Sequence, residues 1–142
     1  MVLDASALVE LVIEGHHRLG AEALLTRYER SPKLTLVSAA HGLIEAIGAL
    51  RRLVARKDLT GKDGAAAVGW LCALELVLDA TAPRARRIWE LRESMRAYDA
   101  AYAATAEAFG VPLVTTDRRL ERACQSAGIA ASGLDGPSTP GV

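Results

Sequence analysis

Short apolar runs alternate with longer segments of helical periodicity along most of the chain. The runs 2–3, 34–37 and 111–114 are rich in Val and Leu, which favour strands. Apolar residues in the segments between them recur three or four residues apart, as on one face of a helix. We therefore predict helices over 5–14, 19–30, 39–56, 65–73, 83–94, 98–109 and 118–126, and a last small strand over 128–130. This alternation predicts an α/β fold with a parallel sheet.

Three residues support these helix boundaries. Ser38 can cap the third helix with its side-chain oxygen, Pro83 suits a first helical turn, and Gly110 suits the end of a helix. We predict a polar connector over 58–64, whereas periodicity leaves 75–79 open between helix and strand.

The composition fits one soluble domain. The chain has 142 residues, is 51% hydrophobic and balances 17 basic against 17 acidic residues, so net charge neither indicates nor excludes a nucleic-acid ligand. Cys72 and Cys124 belong to no metal-binding or disulfide pattern. No signal peptide is visible, and no apolar run reaches the roughly 20 residues of a membrane span. We expect a cytoplasmic protein with a domain over 1–131 and a disordered tail over 132–142, which is rich in Gly, Pro and Ser.

Four carboxylates stand at positions that a parallel sheet would bring together. Asp4 and Asp117 follow predicted strands, and ligands of such sheets bind beyond the carboxyl ends of the strands. Asp99 opens an alanine-rich helix. Each aspartate alone could simply cap a helix, and Ser6 could support the cluster or be solvated.

Glu45 is the acid that a purely structural interpretation explains least well. It lies within a largely apolar helix, opposite a predicted stripe of Leu43, Ile47, Leu50 and Val54. No cation follows it at the helical neighbour positions. A buried carboxylate without a partner costs several kcal/mol, roughly, unless a cation compensates it.

Clustered carboxylates repel one another, and a cation relieves that repulsion. Oxygen ligands suit Mg²⁺ or Mn²⁺, as one ion or as two ions about 4 Å apart, in sites that transfer phosphoryl groups to water. Arginines could bind the phosphates beside a scissile bond, although each could equally be part of a solvated helix face. They are Arg51, Arg52, Arg56, Arg84, Arg86, Arg87, Arg118, Arg119 and Arg122, with Lys57. The three histidines show no metal-ligand spacing.

These motifs resemble the PIN-domain signature, and most closely that of the VapC-type toxins of bacterial toxin–antitoxin pairs. The resemblance extends to about Ile129 and rests mainly on two motifs in order, YDAAY over 98–102 and LVTTDRRL over 113–120. The first strand is unusually short, and Ser94 stands where relatives often carry Asn.

The resemblance implies a three-layer α/β/α fold with a parallel sheet of about five strands. It implies a Mg²⁺- or Mn²⁺-dependent endoribonuclease acting on structured RNA such as tRNA or rRNA. It also implies a homodimer held inactive by a cognate antitoxin that inserts a segment near the acids. Asp4 and Asp99 would be the more direct metal ligands, and Glu45 and Asp117 would hold water or a second ion. Thr115, like Ser6, would support the cluster.

Two other interpretations are compatible with parts of this pattern. The first is a PIN-like module that binds RNA or protein without cleaving, which would tolerate loss of Asp99. The second is an aspartyl-phosphate enzyme or receiver domain, which we disfavour. Such phosphatases require an acid where Ser6 stands, and receivers require a lysine where Thr115 and Thr116 stand.

Overall fold

A computed structural model describes residues 1–135. A five-stranded sheet forms its centre, with the order β3-β2-β1-β4-β5 and all observed pairings parallel. The strands are β1 Val2–Leu3, β2 Leu36–Ala39, β3 Leu76–Asp79, β4 Leu113–Val114 and β5 Ala131–Ser132. The segment 75–79, which periodicity left open, is therefore a strand.

Helices cover both faces of the sheet, so the three-layer α/β/α fold is confirmed. Helices α1 to α4 pack on one another, whereas α5 and α6 pack together and α6 also contacts the central strands. The helices are α1 Ala5–Val12, α2 Arg18–Arg30, α3 Gly42–Ala55, α4 Gly61–Ala73, α5 Ala85–Glu90, α6 Ala97–Phe109 and α7 Arg118–Ser126.

A strand of only two residues, β1, lies at the centre of the sheet. Val2 pairs with Val37 on one side and with Leu113 on the other, and both residues of β1 are completely buried. Because β1 ends after two residues, Asp4 emerges between the ends of two neighbouring strands. The predicted short first strand thus positions an acid at the middle of the carboxyl edge.

Small side chains let α6 lie directly on the sheet. Residues 100–106 are all buried, and five of these seven are alanine. The helix ends at Gly110, whose φ of 63° lies in the left-handed region that glycine adopts without strain. This packing fixes the first turn of α6, with Asp99, at the carboxyl edge of the sheet.

Several helix boundaries differ from the predicted ones. Helix α3 begins at Gly42 rather than at residue 39, because Ser38, which was predicted to cap it, lies in β2 and donates to the Leu3 carbonyl instead. Helix α1 ends at Val12 rather than at residue 14.

Helix α4 begins at Gly61 rather than at residue 65, because the Thr60 side chain caps it by accepting from the Asp63 N–H at 3.1 Å. The predicted helix over 83–94 is a 3₁₀ turn, Ala82–Arg84, followed by the shorter α5.

The buried face of α3 also differs from the predicted stripe. Gly42, Ala46 and Leu50 face the core, whereas Ile47 is 37% exposed. Small residues at two of these positions let α3 approach its neighbours closely. The prediction, which relied on large apolar side chains alone, therefore assigned the wrong face of the helix to the core.

The C-terminal strand lies slightly beyond its predicted place. It includes Ser132 rather than 128–130, so the domain boundary predicted after residue 131 falls inside β5. Asp135 contacts His17 Nδ1 at 2.8 Å. The remainder of the predicted tail, 136–142, lies outside the described residues. Within 1–135, no helix is both long enough and apolar enough to cross a membrane.

Candidate active site

Asp4 is the most buried of the four predicted acids, with 4% of its surface exposed. Its Oδ1 accepts from the Ala7 N–H at 2.9 Å and from the Ser6 hydroxyl at 2.7 Å. Its Oδ2 accepts from the Thr115 hydroxyl at 2.6 Å. Asp4 therefore caps α1 and also joins the ends of β1 and β4, so that its carboxylate is fixed in orientation.

Burial raises the pKa of the Asp4 carboxyl above its ordinary value. The hydrogen bonds from Thr115, Ala7 and Ser6 oppose this effect, and the negative charge of Asp117 adds to it. A cation beside Asp4 would act in the opposite direction, because it stabilises the ionised carboxylate.

The predicted supporting residues Ser6 and Thr115 connect Asp4 to the loop that precedes α7. The Ser6 hydroxyl accepts from the Thr116 N–H at 2.9 Å, and the Thr115 hydroxyl accepts from the Asp117 N–H at 3.0 Å. Thr115 is 1% exposed. These contacts fix the distance between the strand end and the start of α7.

Asp117 and Asp99 approach each other through one arginine. Asp117 caps α7, and its Oδ1 accepts from the Arg119 and Leu120 N–H groups. Arg119 Nη2 donates to Asp99 Oδ2 at 2.8 Å and to Asp117 Oδ2 at 3.3 Å. The two carboxylates therefore converge on a single positive charge.

Glu45 is held from the opposite side by Tyr102. The buried Tyr102 hydroxyl donates to Glu45 Oε2 at 2.7 Å, and burial followed by the Glu45 and Asp4 charges raises the pKa of that phenol. Glu45 is thus partly exposed and has a partner, contrary to the buried, unpaired acid that the sequence suggested.

His41 lies beside this pair, although the sequence analysis did not include it in the site. Its ring centroid is 4.6 Å from Tyr102 and 4.9 Å from Tyr98, and Nε2 lies 3.7 Å from Glu45 Oε2. Nε2 is buried and has no hydrogen-bond partner among residues 1–135, and burial lowers the pKa of the imidazole. The spacing of His41 and Glu45, four residues apart on a helix, was the available signal.

The four acids influence shared neighbours electrostatically, and Asp117 does so together with Asp99 at Arg119. Burial, and then the charges of Asp99 and Asp4, raise the pKa of the Cys124 thiol to about 11. The charges of Glu45 and Asp99 both act on His41, and those of Glu45 and Asp4 on Tyr102. The predicted acids therefore face one region at the carboxyl edge of the sheet.

The donor chemistry of this region suits a hard divalent cation. Among residues 1–135, no three His, Cys, Asp or Glu side chains are arranged closely enough to hold a metal. Asp99 and Asp117 nevertheless converge on the Arg119 guanidinium, and Mg²⁺ typically needs only one or two carboxylates besides water. The oxygen donors present therefore fit such an ion once Arg119 turns away.

Several of the arginines predicted to bind substrate phosphates instead form ion pairs with other acidic side chains. Arg84 binds Asp79, Arg87 binds Glu107 and Arg56 contacts Asp58. Arg118 and Arg122 lie on α7, are exposed and remain candidates for phosphate contact.

Comparison with known proteins agrees with this geometry. The PIN domain family model matches residues 1–125. Ribonuclease VapC12 of Mycobacterium tuberculosis is 37% identical over 120 residues, which cover 84% of this chain and 88% of that protein. Ribonuclease VapC1 of the same species is 36% identical over 127 residues, covering 86% and 89% of the two chains.

A solved structure supports the fold independently of close sequence similarity. The crystal structure of Mycobacterium tuberculosis VapC20, described as a toxin that cleaves the sarcin-ricin loop, aligns with a TM-score of 0.64 at 20% identity. The alignment covers 91% of this chain and 95% of that one. The chain belongs to the PIN-domain family, within the group of VapC ribonucleases.

Proposed function

We propose that this protein is a toxin endoribonuclease that hydrolyses phosphodiester bonds of structured RNA, such as tRNA or rRNA, with Mg²⁺ or Mn²⁺. Four acids, Asp4, Glu45, Asp99 and Asp117, would form the ion site, supported by Ser6 and Thr115. The observation that carries the proposal is the convergence of Asp99 and Asp117 on one cation beside the fixed Asp4 carboxylate. The names of its ribonuclease relatives support the same activity.

A divalent ion held by these acids would stabilise negative charge on the reacting phosphate. Asp4 would give the ion a fixed ligand, because hydroxyl and N–H donors hold both of its oxygens in place. Asp99 would share the ion, since Asp99 is 18% exposed and open toward the solvent side.

Glu45 is suited to orient the attacking water. Tyr102 donates to Oε2, which leaves Oε1 with no hydrogen bond to any residue of 1–135. That oxygen can accept a proton from water at the edge of the site. Arg119, once released from Asp99, can reach a phosphate because 54% of its side chain is exposed.

The proposed partners follow from membership of the VapC group. They are an RNA substrate, a cognate antitoxin that covers the acids, and a second copy of the chain in a homodimer. Sedimentation of the purified protein with and without the antitoxin would test the two protein partners.

The decisive experiment incubates antitoxin-free protein with total cellular RNA in Mg²⁺, Mn²⁺ or EDTA. We expect discrete cleavage products in either metal and none in EDTA. Asp99→Asn should abolish cleavage, whereas Asp58→Asn should preserve it, because Asp58 lies beyond the far end of α3 and contacts only Arg56 among the described side chains.

Cleavage that persists in EDTA would contradict the metal requirement. Equal cleavage by wild type and Asp99→Asn would place the reaction at another site. Absence of cleavage combined with intact RNA binding would instead favour the non-catalytic PIN-like module.

A further inference from the structure

An exposed tryptophan lies on α5, which packs against α6, the helix that carries Asp99. Trp89 is 68% exposed on α5, and the Arg92 guanidinium carbon lies 4.8 Å from its ring centroid. A cavity of about 370 Å³ begins at this ring, and Arg92, Met95 and Arg96 also line it. Aromatic and cationic groups therefore share one open, largely apolar depression.

This depression reaches the start of α6, the helix that carries Asp99. Arg96 is the N-cap residue of that helix, and both Arg96 and Ala97, its first residue, line the depression. Tyr98, which is 66% exposed and contacts the His41 ring, comes next in sequence, directly before Asp99. An RNA chain bound at Asp99 can therefore continue along the start of α6 to the depression.

We propose that the Trp89 depression binds an unpaired segment of the RNA substrate, with a base stacked at Trp89 and phosphates at Arg92 and Arg96. The inference rests on the proposed ribonuclease function and adds the substrate feature that this surface selects. Bases stack on both aromatic rings and guanidinium planes, and the Trp89–Arg92 pair offers both. A base within a duplex has no free face for such stacking, so unpaired RNA is the expected ligand.

Charge distinguishes this surface from a second exposed tryptophan. Trp70 is 67% exposed and lines a cavity of about 490 Å³, but glutamates surround that cavity. They are Glu10, Glu14, Glu22 and Glu29. Phosphates are repelled there and attracted at Arg96, and also at Arg92, whose exposed pair with Glu93 at 3.3 Å a phosphate can replace. The chain thus contains its own control, an equally exposed indole in an acidic setting.

The test measures binding of a fluorescein-labelled single-stranded RNA of about 12 nucleotides by anisotropy. It is performed in EDTA, with the RNA confirmed intact on a gel, so that binding is read apart from cleavage. Wild type is compared with Trp89→Leu, Trp89→Phe and Trp70→Leu. We expect Trp89→Leu to weaken binding about tenfold, Trp89→Phe to restore most of it, and Trp70→Leu to leave it unchanged.

A second pair of variants tests the phosphate contacts. Arg96→Gln should weaken binding and flatten its dependence on salt, because one fewer phosphate is neutralised. Arg30→Gln is the matched control, since Arg30 ends α2 and leads toward the opposite edge of the sheet. The same RNA in a perfect duplex should bind wild type more weakly than the single strand does. In Trp89→Leu this preference for the single strand should disappear.

Fluorescence provides a local readout. In Trp70→Phe the only tryptophan is Trp89, and RNA should quench its emission; in Trp89→Phe the emission of Trp70 should remain unchanged. Wild-type affinity in Trp89→Leu, or equal quenching of both rings, would overturn the inference while leaving the ribonuclease proposal intact. Cleavage of total RNA in Mg²⁺ by a wild type that does not bind the labelled single strand would also overturn the inference alone, whereas absence of both binding and cleavage would overturn both proposals.

Self-association is the competing use of the same surface. Sedimentation of wild type and Trp89→Leu separates the two: an unchanged mass together with weakened RNA binding supports the inference. A dimer that dissociates in Trp89→Leu while RNA affinity per chain stays constant would assign the surface to a second copy instead.

Discussion

Two sides of the candidate site hold their carboxylates in different ways. Asp4 is almost fully buried and bound by neutral donors from Ser6, Ala7 and Thr115. Asp99 is partly exposed and is bound by the charged, exposed side chain of Arg119. The first arrangement is part of the fold, whereas the second can change without disturbing it.

This difference separates the structural from the chemical contribution of each acid. Buried hydrogen-bonded groups cost free energy when a partner is lost, whereas exposed ion pairs contribute little. We therefore expect loss of either acid to abolish cleavage but only loss of Asp4 to weaken the fold. Four measurements would test this distinction between Asp4 and Asp99.

The largest expected effect is on catalysis. Asp4→Asn and Asp99→Asn should each reduce the single-turnover rate of RNA cleavage by about 10²–10³-fold, because each removes charge that would hold the ion. Unequal reductions of the cleavage rate would show that one acid contributes more to catalysis than the other. A rate reduced less than tenfold in either variant would remove that acid from the proposed ion site.

The next effect is on stability. Asp4→Ala should lower the free energy of unfolding by about 2–4 kcal/mol, because it removes the cap of α1 and leaves the buried Thr115 hydroxyl without its acceptor. Asp99→Ala should lower it by less than about 1 kcal/mol. Urea unfolding of the two variants measures both values, and equal losses would contradict the distinction.

A smaller effect should appear as a dependence on pH. Folding raises the pKa of Asp4 above its ordinary 3.8. At pH values just above 3.8, the folded protein therefore keeps a proton on Asp4 that the unfolded chain has released. Stability from this group therefore falls as pH rises through the folded pKa, by at most about 1.4 kcal/mol per pH unit.

Comparing wild type with Asp4→Asn isolates this dependence, because other titrating groups cancel. Wild type should gain stability relative to the variant as pH falls toward 3.8. Saturating Mn²⁺ should reduce the difference if Asp4 binds the ion. A difference that is independent of pH without metal would mean that folding leaves the pKa of Asp4 unchanged.

The smallest effect concerns Arg119. Its guanidinium and a divalent ion compete for the same oxygens of Asp99 and Asp117, so Arg119→Gln should tighten Mn²⁺ binding about two- to fivefold. Calorimetric titration measures this directly. Arg118→Gln removes the same charge from an adjacent exposed position and should change the affinity less.

The sequence predicted the components of this site better than their contacts. Asp4, Asp99 and Asp117 follow strand ends or open helices, positions that local patterns identify. Glu45 was selected for being unpaired, yet its partner is Tyr102, a residue 57 positions away. Periodicity carries no information about such a long-range contact.

The errors in the fold have a similar physical origin. Large residues suggested the wrong buried face for α3, because Gly42 and Ala46 approach the core through their small size. The start of α4 was missed because a single side chain, Thr60, caps a polar first turn. Packing against small residues and local capping both depend on geometry that a hydrophobic pattern does not record.

Gly42 gives the site a constraint at its base. The Ser38 hydroxyl donates to the Leu3 carbonyl at 2.7 Å, immediately before Asp4. A Cβ at Gly42 would overlap Ser38 Oγ and approach the Tyr102 ring. The Ser38 contact directly behind Asp4 thus depends on one absent methyl group. An alanine at that position would push the Ser38 hydroxyl away from the Leu3 carbonyl and crowd Tyr102, the partner of Glu45, even though alanine carries no functional group.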